Sequence, residues 1–315
     1  MGLACPAQTC SMRVRGRAAP YSPFQRSRRR CTLRLAGDDH ERKGAMIRFV
    51  RHLPLAESEK QAILNTPREI RRFQRGDTIY RPEEPADAAR ILVEGLAVQY
   101  RILRNGERQS ADLVFPTRFC DLGCILFGES NHFLAALTDV EIVEISASRV
   151  LDLFARYPQI PILLLHQETR DRSILFERLL SVGRRPAIRR LAHLLTEFRL
   201  RRELAGVSPS RARRILLPQR WIGDFLGLTT EHVSRTIGKL KAMGLIEQHR
   251  NGIIIRDPAG LARLAEFDPG YLHPGAEAAP QPVSASRGRE EGPSIMKVRD
   301  RASDREGSKR AANKG

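Results

Sequence analysis

The sequence predicts an α+β protein in three parts: an antiparallel β unit toward the N-terminus, one long helix, and a C-terminal winged helix-turn-helix. Three observations predict it. Short strand-like runs broken by turn residues fill positions 73 to 146, apolar residues at helical spacing run from 160 to 182, and a Gly-centred pair of short helices precedes two β-rich runs between 245 and 255. The divisions are 46–157 for the β unit, 158–183 for the long helix and 184–270 for the last part, flanked by 1–45 and 271–315.

The β unit is marked by its turns, Gly76-Asp77, Gly95, Asn105-Gly106 and Pro116. Val98, Tyr100 and Ile102 alternate with polar residues, as a half-buried strand does. Asn105-Gly106 after them suits a type I′ hairpin, in which both central residues take positive φ. Residues 141 to 145 close the unit as another strand.

In the long helix Ile160, Leu163, Leu164, Ile174, Leu179 and Leu180 fall mainly on one side, interrupted by Gln167, Arg170 and Asp171. Such a helix packs on its own β unit or forms a dimer seam. At roughly 33 Å it is longer than a small β unit covers, which favours the seam, with Leu164 and Ile174 in it. Gly183-Arg184-Arg185-Pro186 breaks the helix and Pro186 suits the first turn of the next, where Ile188, Leu191, Leu195 and Phe198 make a core-facing stripe. A basic loop at 211 to 214 leads on to the helix pair.

Charge separates the two folded halves. Residues 46 to 157 carry 15 Lys/Arg against 16 Asp/Glu, whereas 158 to 270 carry 20 against 11. A neutral sensing half and a polyanion-binding half would produce this division, as would a merely solvated basic surface. No apolar run approaches the roughly 18 residues that a membrane helix needs. The five cysteines are too few and too irregular for a disulfide framework, which points to a reducing cytoplasm. Residues 1 to 45 read as a disordered basic arm or as a start placed too early, Met46 opening the first patterned segment; 271 to 315, rich in Pro, Gly, Ser and charge, read as disordered.

The segment with the most specific pattern is 219 to 244, QRWIGDFLGLTTEHVSRTIGKLKAMG. Trp221, Ile222, Phe225 and Leu226 give a first helix its apolar face, Gly227 permits a sharp turn, and Thr229 or Thr230 can cap a second helix whose Val233, Ile237 and Leu240 face inward. Opposite them lie Glu231, Ser234, Arg235 and Lys239. A solvated helix face would show the same polar stripe. The helix pair's spacing, the following strand pair around Asn251-Gly252 and the basic surroundings favour a winged DNA-binding domain instead.

From about residue 48 to 273 these features resemble the Crp/Fnr superfamily. The order of β unit, long helix and winged helix-turn-helix matches, as do Gly76, Gly95 and Gly227, and Glu231-His232-Val233-Ser234-Arg235 is similar to the Glu-x-x-Ser-Arg signature of the Fnr/FixK branch. The run from Phe267 to His273 is similar to an ending of alphaproteobacterial members. The resemblance implies a β-roll like that of cyclic-nucleotide-binding domains, a homodimeric transcription regulator with double-stranded DNA and RNA polymerase as partners, and an inverted TTGAT-like site. Base readout is expected from Glu231, Ser234 and Arg235, and backbone contacts from Thr230, Lys239, Arg211, Arg213 and Arg214.

What the β unit senses is less specified. Cyclic-nucleotide-binding relatives have Gly-Glu for the ribose and a following Arg for the phosphate; Gly128-Glu129 is present here, but no Arg or Lys lies between 119 and 148, so cAMP is not expected. Cys5, Cys10 and Cys31 lack the close spacing of the Fnr iron–sulfur cysteines, so no cluster is expected either. Cys120 and Cys124 form a redox-capable pair or, more simply, small core residues. His132 and His166 are lone histidines rather than a haem set. Where many relatives have Pro-Gly-Asp, this chain has Pro116-Thr117-Arg118, and the turn is expected to differ there. No Ser/His/Asp set, phosphate loop, dinucleotide fingerprint or metal-ligand spacing stands in a convincing context, so no enzymatic activity and no metal are expected.

Overall fold

The computed structural model describes residues 47, 50, 51 and 53 to 272, except 86, 250 and 251. The predicted run of turns and strands forms two facing antiparallel sheets after helix α1 (Glu57–Asn65). One sheet takes β1 (Glu69–Phe73), β8 (Val140–Ser146), β3 (Ala88–Glu94) and β6 (Arg118–Phe119), in that order. The other takes β2 (Thr78–Tyr80), β7 (Phe133–Ala136), β4 (Ala97–Ile102) and β5 (Arg108–Val114). A short helix α2 (Gly123–Phe127) follows β6, and α3 (Ala147–Arg156) leads from β8 to the long helix α4 (Gln159–Arg184). The α+β class and its three-part order are thus as the sequence predicts.

One turn differs in detail from expectation, and a second has an unusual backbone. The β4–β5 connection is not type I′: Gly106 alone takes positive φ (87°), its N–H donates to the Leu103 carbonyl at 2.9 Å, and the Asn105 side chain accepts from the Glu107 N–H at 3.0 Å. A side-chain acceptor two residues back supports this wider loop, so Asn105 stays out of the left-handed region. At Pro116-Thr117-Arg118 the backbone makes a left-handed turn without a glycine, Thr117 sitting at φ 72°. A β-branched residue there costs on the order of 1 to 3 kcal/mol. The Thr117 N–H bonded to the Leu92 carbonyl at 2.8 Å and the ion pair of Arg118 with Asp171 hold it in place.

The long helix has two faces, and the stripe read from periodicity is split between them, Leu164 and Ile174 of the expected seam lying on the inner one. Leu164 is 6% exposed and Ile174 fully buried, packed within the subunit, whereas Leu165, Phe176 and Leu179 are 61 to 70% exposed. The reading fails at these two residues because apolar residues occur on both faces, and spacing alone does not say which face its own chain covers. The polar interruptions are anchors: Gln167 accepts from the Phe119 N–H at 3.2 Å and donates to the Phe119 carbonyl at 3.1 Å, completing the hydrogen bonding of an edge strand.

Beyond α4 come α5 (Ala187–Leu204), the single turn α6 (Pro209–Ala212), β9 (Arg214–Ile215), α7 (Gln219–Leu226), α8 (Thr230–Ala242), β10 (Ile246–His249), β11 (Gly252–Ile255) and α9 (Pro258–Ala265). A 3₁₀ turn at Pro269–Leu272 ends the described chain. Tyr271 and Leu272, read from composition as part of a disordered tail, are ordered: Leu272 is buried and the Tyr271 hydroxyl donates to Glu197 at 2.8 Å. The remainder of the two flanking segments lies outside the described residues, as do Cys5, Cys10, Cys31 and Asn251.

The halves share one core. Val98, Tyr100 and Leu113 of the second sheet, with Phe115 just after β5, pack in the same cluster as Phe198, Trp221, Phe225 and Val233. Between them lies a buried charge network. Arg201 of α5, 5% exposed in its side chain, donates to both oxygens of Asp112 on β5 and to the Leu113 carbonyl at 2.9 Å, while Arg178 of α4 donates to Glu197 of α5 at 2.7 Å. Burial by itself would raise the Asp112 pKa, but the charge and hydrogen bonds of Arg201, with Arg178 beyond, bring it below the usual carboxylate value. A carboxyl with a depressed folded pKa contributes stability above its unfolded pKa and loses it as pH falls through the folded value.

Two outcomes follow for unfolding measurements. Chemical denaturation of the wild type is expected to show stability falling below about pH 4, the unfolded Asp value, and the decline to be smaller in Asp112→Asn. Asp112→Ala, which leaves Arg201 buried without its partner, should cost about 3 to 5 kcal/mol at pH 7; a loss under 1 kcal/mol would show that the network is not what joins the halves.

Candidate nucleic-acid interface

The exposed surface of α8 is set by what its other side buries. Val233, Ile237 and Leu240 are fully buried and Thr236 nearly so, which turns Glu231, Ser234, Arg235 and Lys239 outward. Of the two threonines offered as caps, Thr229 is the one: its hydroxyl accepts from the His232 N–H at 3.3 Å, leaving Thr230 exposed as the first helical residue. The Glu231 carboxyl is held below its usual pKa by hydrogen bonding at the helix start, first to its own backbone N–H and then to Thr229, with Arg235 adding a smaller effect. It is therefore an anion and a hydrogen-bond acceptor at neutral pH. Arg235, one helical turn further on, presents the matching donor.

The angle between α7 and α8 depends on two glycines. Gly227 ends α7 at φ 62°, in the left-handed conformation, and its N–H donates back to the Gly223 carbonyl. Gly223 itself faces the turn so closely that a Cβ there would lie 2.6 Å from the Leu228 carbonyl oxygen. Gly223 was missed in the sequence, where a glycine inside a helix pattern reads as a weak helix former rather than as a close approach.

The basic residues before α7 are divided by the fold. Arg211 lies on the single turn α6, while Arg213 and Arg214 run into β9, which pairs with β11 and makes the wing three-stranded. The Arg213 carbonyl accepts from the Ile255 N–H at 3.0 Å, so the exposed side chains of Arg213 and Arg214 stand beside the wing and not in a free loop. Arg220 at the start of α7, Lys241 at the end of α8 and His249 on the wing are also exposed and extend the basic surface. Their signal in the sequence was only charge.

On its inner side α7 is clasped by the second sheet. The Arg108 guanidinium lies 3.6 Å from the centroid of the Trp221 ring, is also within 5.3 Å of Tyr100, and pairs with Asp224. Burial raises the Asp224 pKa and Arg108 opposes it.

Inside the roll, Cys120 and Cys124 are both buried free thiols. Burial pushes each up to about 12, with Arg90 countering at Cys120 and Asp121 adding at Cys124, so both are protonated at neutral pH and act as packing groups. His132 bonds the Tyr80 hydroxyl at 2.8 Å and burial lowers its pKa; His166 is exposed on α4. Among the described residues no group of three or more His, Cys, Asp or Glu is placed to hold a metal ion, and no helix is long and apolar enough to cross a membrane. Gly128 sits in a left-handed turn and Glu129 bridges to Pro85, while Arg90 of β3 pairs with Glu144 at 2.8 Å.

Comparison with known proteins covers both halves. Residues 70–157 match the cyclic nucleotide-binding domain and residues 189–264 the Crp-like helix-turn-helix domain. The chain is 30% identical over 193 residues to the nitrogen fixation regulation protein FixK of Bradyrhizobium diazoefficiens, covering 61% of this chain and 80% of that protein. It is 30% identical over 197 residues to the transcriptional activatory protein AadR of Rhodopseudomonas palustris, covering 62% and 80%. In fold it is similar to the solved structure of FixK2 from Bradyrhizobium japonicum, with a TM-score of 0.55, 24% identity, and coverage of 63% and 97%.

The close approach at Gly223 gives a test of the helix-pair geometry. Gly223→Ala is expected to destabilise the protein by about 1 to 3 kcal/mol, because the obstacle is backbone and cannot swing aside. Thermal melts of the variant should show this, and an unchanged midpoint would mean that the turn is looser than described.

Proposed function

The chain belongs to the Crp/Fnr family, in its FixK-like branch, as a DNA-binding transcription regulator, and on that premise we propose that it binds an inverted TTGAT-like site as a homodimer. The observation that carries this reading is the outward face of α8, an anionic acceptor at Glu231 and a bidentate donor at Arg235 one turn apart. Arg235 donates to O6 and N7 of the guanine, Glu231 accepts from the amino group of its paired cytosine, and Ser234 contacts a neighbouring base. Thr230, Lys239, Arg211, Arg213 and Arg214 hold phosphates, which position the protein without reading sequence.

The dimer is assigned to the outer face of α4. Ile162, Leu165, Phe176 and Leu179 are exposed large apolar residues at spacings that continue a three-four pattern through Thr169 and Arg172. A second copy covers this stripe and sets two α8 helices about one DNA turn apart. In this reading the roll works without cAMP and without an iron–sulfur cluster, the regulator touches RNA polymerase once on DNA, and it acts in the cytoplasm. The basic region from 158 to 270 and the missing phosphate partner between 119 and 148 support it.

Two measurements test these assignments. Arg235→Ala should cost about 1 to 3 kcal/mol and relax the preference at the G·C pair, whereas Lys239→Ala should weaken all sequences alike and lower the salt slope by about one. Selection on randomised half-sites reads the difference, and a G·C preference surviving Arg235→Ala would refute this docking. For the seam, Leu179→Glu with Phe176→Glu should give a folded monomer by light scattering, while Ile174→Glu should unfold the subunit. A dimer persisting in the double variant would move the interface elsewhere.

A further inference from the structure

A cavity of about 340 Å³ opens where the roll, α4 and α5 meet. Its apolar walls include Ile91 and Ile145 from the first sheet, Leu164 and Ile174 from α4, and Leu204 from α5. No residue between 120 and 144 lines it, so it is separate from the part of the roll that carries Gly128-Glu129. Small-molecule sites in proteins have volumes of roughly 300 to 1,000 Å³, and an apolar cavity of about 150 Å³ already admits benzene. This one has room for an aliphatic chain.

The charged residues of the lining are all of one sign. They are Arg118, Arg170 and Arg201, and no Asp or Glu is among the wall residues. Arg201 is committed to Asp112 and the Leu113 carbonyl. Arg118, by contrast, comes from the turn in which Thr117 is kept at a positive φ, and it pairs with Asp171. Burial lowers the Arg118 pKa and raises that of Asp171, each more than the partner restores, so the pair is short of solvation. Backbone strain and under-solvated charge beside an apolar chamber are features of ligand sites rather than of packing alone.

We propose that this cavity binds a single-tailed organic monoanion, a medium-chain carboxylate, with its chain between the roll and α4 and its head toward Arg118. Its walls come from both halves, and occupancy is felt at the joint that Arg201 closes. The inference deepens the sensing role in the proposed regulator, but binding is measured without DNA, so failure here and failure of the DNA reading are separate results.

The experiment is calorimetric titration of the full chain with sodium decanoate below its micelle concentration, and with decanol as the neutral counterpart. Saturable one-to-one binding of decanoate is expected, with decanol and Arg118→Gln each about tenfold weaker, since a charge-assisted contact is lost. Leu163→Trp, which places a larger side chain in the wall, should abolish binding. If L163W does not fold by circular dichroism, Leu204→Trp at a partly exposed wall position repeats the test. Absence of saturable binding, or wild-type affinity in the filled variant, would overturn the site; equal affinity for decanol and decanoate would overturn the assignment of an anion.

Discussion

A guanidinium taken out of water must find acceptors for its donors inside the protein, and Arg201 finds them on another part of the chain. Asp112 and the Leu113 carbonyl belong to β5, while Glu197 is one turn back on α5. Because an uncompensated buried charge costs several kcal/mol, α5 cannot slide or rotate on the sheet without breaking the match. Arg178 and Tyr271 converge on Glu197 from α4 and from the last turn, so four segments are tied at one point. The helix-turn-helix is built on α5, through Phe198 against Phe225, and so inherits its position from this junction.

From there the direction of α8 follows by packing. Trp221, Phe225 and Leu226 are fixed against α5 and the second sheet, Gly223 lets the turn come close, and Val233, Ile237 and Leu240 complete the core. Only the opposite face remains exposed, and it is the face that carries Glu231, Ser234 and Arg235. The Arg108 clasp on Trp221 and Asp224 adds a second joint between the roll and the helix-turn-helix. A change within the roll thus has two physical routes to α7, one through Arg201 and one through Arg108.

The long helix serves different neighbours with different faces. Ile174 and Leu164 complete the subunit's own core, Gln167 and Asp171 tie the helix to the β6 edge, and Leu165, Phe176 and Leu179 are left outside. In an ordinary surface helix the outer face would be polar. An apolar stripe there, on the element that joins the roll to the helix-turn-helix, is what the proposed dimer would cover.

Much of this was legible from residues alone. Turn residues at 76, 95 and 106, alternation at 98 to 102 and the Gly-centred helix pair specify the elements, because each depends on local backbone preference and a short period. The outward residues of α8 were legible for the same reason: three apolar positions at helical spacing leave one face free. The type of the β4–β5 turn, the left-handed Thr117 and the role of Gly223 were not, since each depends on a partner distant in sequence or on a side chain's alternative hydrogen bond. What the sequence by itself determined, then, is the order of elements, the basic half and the α8 stripe. Which face of α4 is inner, that Arg201 meets Asp112 across 89 positions, and that both halves share one core were decided only by the tertiary structure, because burial and charge pairing are properties of what surrounds a residue and not of its neighbours in the chain.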